Sequence, residues 1–266
     1  MAMTKPAPAI ELDCLGKSFR SWDERPHSLK AWLINLLQFK SGFKGKSTTT
    51  VLDNVSLTIH TGEFVGIMGP NGAGKSTILK LICSIYEPTR GTVRVHGQIA
   101  PLIELGAGFH PDLSGYDNVF LNAAILGFGR RLALEKMPEI LEFAGLGEKI
   151  HMPVRYYSSG MLARLGFSVA THLPAPILLV DEILAVGDAN FQAKCIAKVR
   201  QLHSEGRTVI LVSHDIEAIS HHCERVIVLS RSGVSYDGPA SRAREHYLNS
   251  LAAPVQTPPS SLSEGS

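Results

Sequence analysis

No run of apolar residues in these 266 positions approaches the roughly 20 that a membrane-crossing helix needs. The first residues carry charges and prolines where a secretory leader would carry an apolar core. The expectation is a chain soluble by itself, whose work at a membrane would depend on spans supplied by another polypeptide. Paired cysteines are lacking as well. Cys14, Cys83, Cys195 and Cys223 stand far apart with no C-x-x-C spacing, which points to reduced thiols in the cytosol. A preponderance of one charge is also missing: 26 Lys and Arg face 24 Asp and Glu, a net charge of +2. Composition therefore gives no reason to expect a nucleic-acid partner. The cluster His221, His222 and Cys223 lacks a second ligand pair, so it reads as an incidental surface feature rather than a metal site.

What is present is a complete G-x-x-x-x-G-K-[ST] phosphate loop: Gly69, Pro70, Asn71, Gly72, Ala73, Gly74, Lys75 and Ser76, followed by Thr77. Residues 63–68 before it read as a short apolar strand, and residues 78–82 after it have helical spacing. The three glycines let the backbone curl so that successive N–H groups point inward as an anion cradle. The helix that follows adds its N-terminal donors and dipole. Lys75 brings a positive charge to the β and γ phosphates of a nucleotide. The Ser76 hydroxyl is the Mg²⁺ ligand, and Thr77 reaches the α phosphate.

The chain is ample for a sizeable core, as one large domain or one domain with an insertion. Residues 1–9 are small and Pro-rich, and Ile10–Phe19 reads as a strand. Residues 28–39 look like an amphipathic helix capped by Ser28, and residues 40–50 like a polar loop. Residues 1–50 hold eight basic and four acidic side chains, net +4. Such a segment fits a membrane surface, and it fits equally well packed on its own domain. Further strands are expected at 51–60, 92–99, 177–180, 208–212 and 225–229, with helices at 190–204 and 216–222. Helical periodicity fills 112–172, with turns near Gly127–Gly129 and Gly145–Gly147. Alternating strands and helices predict a mostly parallel sheet covered on both sides. From Ala253 the composition is that of a disordered tail.

A second constellation follows the continuous apolar run 177–180, which marks a strand buried on both faces. Asp181 and Glu182 come at its carboxyl end, where open α/β sheets bind ligands. Asp181 is placed to hold the Mg²⁺ hydration shell, and Glu182 to orient and polarise the attacking water. His214 follows another apolar strand between Ser213 and Asp215. By itself it suits a structural role as well as a contact to the γ phosphate.

These pieces, in this order, resemble the nucleotide-binding subunit of ABC transporters over roughly residues 10–248. Tyr157, Ser158, Ser159, Gly160 and Met161 occupy the place of the LSGGQ signature before the Walker B strand. Ser158 and Gly160 match its serine and second glycine; Ser159 replaces its first glycine and Met161 its glutamine. The resemblance implies an α/β fold: an ABC-type P-loop ATPase with a mostly parallel sheet core, an antiparallel β portion and an inserted α-helical subdomain at about 104–172. It implies one nucleotide-binding domain over 1–250, a tail at 251–266 and no C-terminal carbohydrate-binding domain. It also implies that a second copy closes over the ATP, so that Ser158 and Gly160 act in trans. Ala185 to Asp188 becomes the D-loop and His214 the switch histidine. Phe19 becomes the adenine-stacking aromatic, with Trp22 as the alternative.

The sequence departs from the wider family at the Q-loop. No glutamine lies between Ile99 and Asp117. Glu104 is the nearest polar candidate, as a Mg²⁺ or water contact, and Leu105 falls there if the register shifts by one. The signature variant, the run from Val180 to Gln192, the stretch Leu102–Gly115 and Arg25–Lys30 resemble bacterial exporters of polysaccharides such as O-antigen, capsule and teichoic acid. That likeness implies a permease partner in two copies, a lipid-linked glycan handled through the permease, and a peripheral position on the cytoplasmic face of the inner membrane. The alternative is an exporter of another lipid or a drug. A soluble ABC ATPase acting on ribosomes or DNA is disfavoured by a single cassette without a coiled-coil insertion or basic stripe.

Overall fold

The computed structural model describes residues 6–21, 47–102, 106, 108–181, 188–213, 215–230 and 233–252. The helix expected at 28–39, Trp22, Glu104, Leu105, Glu182, Ala185, His214 and the tail from Ala253 lie outside the described residues.

Two sheets share one core. Strands β1 (Pro8–Ser21), β2 (Ser47–His60) and β4 (Arg90–Val95) form an antiparallel sheet in the order β2-β1-β4. Strands β3 (Phe64–Met68), β5 (Ile99–Leu102), β6 (Ile177–Asp181), β7 (Thr208–Val212), β8 (Arg225–Ser230) and β9 (Gly233–Pro239) form the second, in the order β5-β6-β7-β3-β8-β9. Only β9 runs antiparallel to its neighbour in that sheet.

The helices are α1 (Lys75–Ile82), α2 (Gly115–Ile125), α3 (Arg130–Ala144), α4 (Ser159–His172), α5 (Ala189–Ser204), α6 (Ile216–His222) and α7 (Ala240–Ala252). Helices α2 to α4, with two short 3-10 turns before α4, fall between β5 and β6.

The central strands are apolar along nearly their whole length because both faces are covered. Val65, Ile67, Leu179, Ile210 and Ile227 point to the side of α1 and the antiparallel sheet. Phe64, Met68, Leu178, Val180, Val209 and Val228 point to the side holding the remaining helices. Gly66 in β3 admits α6 at close range, since a Cβ there would lie 2.7 Å from the Ile219 side chain. Arg225 ties the two sheets together. Its guanidinium donates to both carboxylate oxygens of Asp237 on β9, to Glu63 and to the Thr58 carbonyl on β2.

Three expectations are corrected here. The single strand expected at 92–99 is two strands in different sheets, β4 and β5. Gly97, with φ of 131°, lets the chain break and cross from one sheet to the other. The loop expected at 40–50 is already strand from Ser47, because Thr48 to Thr50 pair with Arg20 to Ser18 across the ladder. The His221–Cys223 cluster is not simply a surface feature. Cys223 is buried against β3, which pushes its thiol up to about 12, and His222 accepts from Arg200. Among the described residues no helix is long and apolar enough to cross a membrane.

His172 ends α4 in a buried position. Its Nδ1 donates to the Ser168 carbonyl at 2.8 Å and its ring meets Phe143 edge-on. Burial holds its pKa below the usual imidazole value, with Lys198 and Lys136 pushing the same way and the Ser168 carbonyl bond and Glu139 opposing. The unfolded chain therefore binds the proton more readily than the fold does. The stabilisation is complete above the unfolded value of about 6.5 and is lost as pH falls below it. The thermal midpoint is expected to drop between about pH 7.5 and about pH 5.5. In His172→Gln that slope is expected to be shallower but not flat, because His222 is also shifted down, by burial and by Arg200. An unchanged slope in the variant would contradict this account of His172.

A candidate nucleotide site at the carboxyl edge

The loop from Gly69 to Gly74 leaves the carboxyl end of β3 and opens α1. Its glycines have three different reasons to be there. A Cβ on Gly69 would lie 2.4 Å from the Leu229 carbonyl oxygen, so backbone packing excludes it. Gly74, with φ of 92°, lies against Leu52 of β2, whose side chain would be 2.4 Å from a Cβ. Gly72 has φ of 82° and no atom within 4 Å of a Cβ, so conformation alone asks for glycine there, and the space above it is open.

Pro70, Asn71, Gly72 and Ser76 are exposed, Lys75 and Thr77 half-buried, and Ala73 buried as the floor of the loop. Gly74 caps α1 without any side-chain acceptor, which leaves the first-turn N–H groups to an outside anion. The Lys75 ammonium donates to the carbonyls of Gly69 at 2.7 Å and Pro70 at 3.2 Å. It is thereby held over the mouth of the loop. This cradle fits a nucleotide polyphosphate, and hydroxyl and carboxylate oxygens from Ser76 and Asp181 suit a hard cation such as Mg²⁺.

Asp181 is the last residue of β6, half-buried and level with Val212 of β7. Strand β7 separates β6 from β3, so Asp181 and the phosphate loop share one carboxyl edge. Ser213 leaves β7 on that same edge, its N–H donating to the Ile67 carbonyl and its hydroxyl accepting from Asp215 N–H. Glu182 and His214 are next in sequence to Asp181 and Ser213, outside the described residues.

Phe19 lies on β1, half-buried, and makes an edge contact of 5.4 Å with Tyr86. The Lys17 ammonium stands 5.1 Å from the Phe19 ring and 5.3 Å from that of Tyr86. Gln98, one residue before β5, is at the wrong end of that strand to serve the site; its amide donates to the Gly127 carbonyl.

Ser158 and Gly160 sit at the start of α4. Ser158 is exposed and caps the helix, accepting from Met161 N–H at 3.3 Å. A Cβ on Gly160 would meet nothing nearer than the Ser158 hydroxyl at 3.9 Å, so its own subunit does not require glycine there. Tyr157 anchors the motif, donating to the Lys149 carbonyl at 2.8 Å.

Asp188 caps α5 through Phe191 N–H at 2.9 Å and pairs with Arg164 of α4, whose guanidinium also lies over the Phe191 ring. The N–H bond and Arg164 hold the Asp188 carboxyl below the usual range. Within one subunit Asp188 is thus joined to the signature helix. Sequence reading missed Arg164, Tyr86 and Lys17. For Lys17 a signal existed, since it shares a strand face with Phe19 two residues on.

A family model described as ABC transporter matches residues 52–185. The chain is 46% identical over 245 residues to the O-antigen export system ATP-binding protein RfbB of Klebsiella pneumoniae, covering 92% of this chain and 99% of that protein. It is 42% identical over 270 residues to the protein of the same name from Myxococcus xanthus, covering 99% of this chain but 62% of that one. It is 37% identical over 196 residues to the teichoic acids export ATP-binding protein TagH of Bacillus anthracis, covering 74% of this chain and 36% of that protein. The ATP-binding cassette MJ0796, solved as a dimer in a post-hydrolysis state with ADP and Pi, superposes with a TM-score of 0.68 at 24% identity, over 87% of this chain and 98% of that one. At that identity the likeness speaks for the fold.

Proposed function

The chain belongs to the ABC transporter family, and from that premise we propose that it is the ATP-hydrolysing motor subunit of an exporter of a lipid-linked cell-envelope polysaccharide. The observation that carries the chemistry is the open phosphate loop aligned with Asp181 on one sheet edge. The cargo rests on the relatives named for O-antigen and teichoic acid export.

In this reading the loop N–H groups and Lys75 hold the β and γ phosphates, and Ser76 and Asp181 hold Mg²⁺, which supplies charge neutralisation at the phosphates. Glu182 takes the proton of the attacking water, and His214 contacts the γ phosphate. Phe19 offers the ring for adenine. Ser158 and Gly160 approach the nucleotide of a second copy, which accounts for a glycine that its own subunit leaves uncovered.

A permease segment fits a groove of about 610 Å³ between α1, β5 and the end of α2. Its rim carries Ile85 and Ile125, 58% and 59% exposed. Covering the exposed part of either isoleucine is worth about 1–2 kcal/mol, a contribution to docking an apolar helix. The subunit then works at the cytoplasmic face of the inner membrane. Cell fractionation tests that placement. The protein is expected with membranes, and recovery with ribosomes or DNA would overturn the exporter reading.

A further inference from the structure

Asn118 is fully buried in the first turns of α2, an unfavourable place for an amide unless all its bonds are made. They are made, and to one short loop. Its Oδ1 accepts from His110 N–H at 2.7 Å, and its Nδ2 donates to the carbonyls of His110, Leu113 and Ser114 at 3.0, 3.2 and 2.9 Å. The opposite side of that loop is bonded to the segment preceding the signature. Val154 N–H donates to Leu113 O and Arg155 N–H to Pro111 O, both at 2.9 Å, and Gly115 N–H to Met152 O at 3.2 Å. The Arg155 guanidinium adds a bond to the Asp112 carboxylate at 2.6 Å. Two residues beyond Arg155, Tyr157 is locked against Gly115, where a Cβ would lie 2.2 Å from its hydroxyl.

We propose that Asn118 is a positioning residue for the signature: it fixes the loop at 110–114, and the loop fixes the ledge at 152–155 from which Ser158 and Gly160 project. Every link is a short directional bond, so loosening the first shifts the last. An alkyl side chain of similar size at 118 would fill the space but leave the His110 N–H without its acceptor and remove one donor each from the His110, Leu113 and Ser114 carbonyls. The same loop begins at Gly108, which packs on Ile125 at the rim of the apolar groove. The inference rests on the reading that Ser158 and Gly160 act on the nucleotide of a second copy.

The test uses the full chain with Asn118→Ala, with the surface double variant Asp112→Ala/Arg155→Ala, and with Gly160→Asp as a reference. Affinity for a fluorescent ATP analogue is read on the isolated subunit, and ATP-driven dimerisation and turnover on the pair. For Asn118→Ala the affinity stays within about twofold while dimerisation and turnover fall about tenfold or more, because a displacement of ~1 Å at a reacting constellation costs that much. The double variant shows the same split at about two- to fivefold, and combining it with Asn118→Ala adds little, since both act through one loop. Should Asn118→Ala fail to fold, the double variant decides alone. Dimerisation and turnover that stay at wild-type level in the folded variants, or that fall in step with nucleotide affinity, overturn the proposal. Unchanged dimerisation and turnover in Gly160→Asp would instead overturn the reading of the signature on which it rests.

Discussion

Glu182→Gln is expected to reduce ATP turnover by about 10²–10⁴ while leaving ATP affinity within about twofold. Glu182 immediately follows Asp181, which ends β6 on the edge where the phosphate loop lies. The amide is nearly isosteric with the carboxylate and keeps most contacts, but it cannot accept a proton from water. Removing the base therefore acts on the chemical step and spares binding. A second effect follows from the sandwich arrangement. If two subunits close on ATP and part after hydrolysis, a variant that binds without hydrolysing accumulates as a dimer. Phosphate release and size-exclusion chromatography with ATP measure the two effects. Normal hydrolysis in the variant would remove Glu182 from the role of base.

Lys75→Ala is expected to fail in a different way, losing both affinity and turnover. Turnover should fall by about 10²–10³, the cost typical of deleting one well-placed donor to a developing anion. The Lys75 ammonium is held by the Gly69 and Pro70 carbonyls. Without it, those two carbonyl dipoles face the phosphates with no intervening positive charge. Lys75→Arg is not expected to rescue, because a planar guanidinium cannot replace a compact ammonium between two carbonyls and a phosphate. The fold should persist, since Lys75 is half-buried and the loop is set by Gly69, Gly74 and Leu52. The contrast between the variants is the informative part. Isothermal titration with ATP should show binding for Glu182→Gln and a large loss for Lys75→Ala. Equal affinities in the two would contradict the division of labour.

The parts legible in the sequence are those whose physics is local. The phosphate loop declares itself because its glycines, lysine and serine are contiguous. The run at 177–180 declares a strand because burial on both faces leaves no polar residue in it. Other parts depend on partners distant in the chain. Strand β9 contains Ser, Asp, Gly and Pro, which are poor strand formers, and exists through its ladder with β8. The division of 92–99 into β4 and β5 depends on which sheet each half joins, which a short apolar run does not encode. Asn118 reads from the sequence as a weak helix former; only the loop at 110–114 explains it. The pairs Phe19 with Tyr86 and Arg164 with Asp188 have no local signal at all.

The most direct test of the central claim is depletion of this protein in its own organism, followed by measurement of lipid-linked glycans on each side of the inner membrane. The account predicts that one polymer accumulates on its lipid carrier in the cytoplasm and disappears from the envelope, which would also identify the cargo. Unchanged synthesis and export of every envelope glycan would contradict it, leaving an ABC ATPase whose cargo is something else.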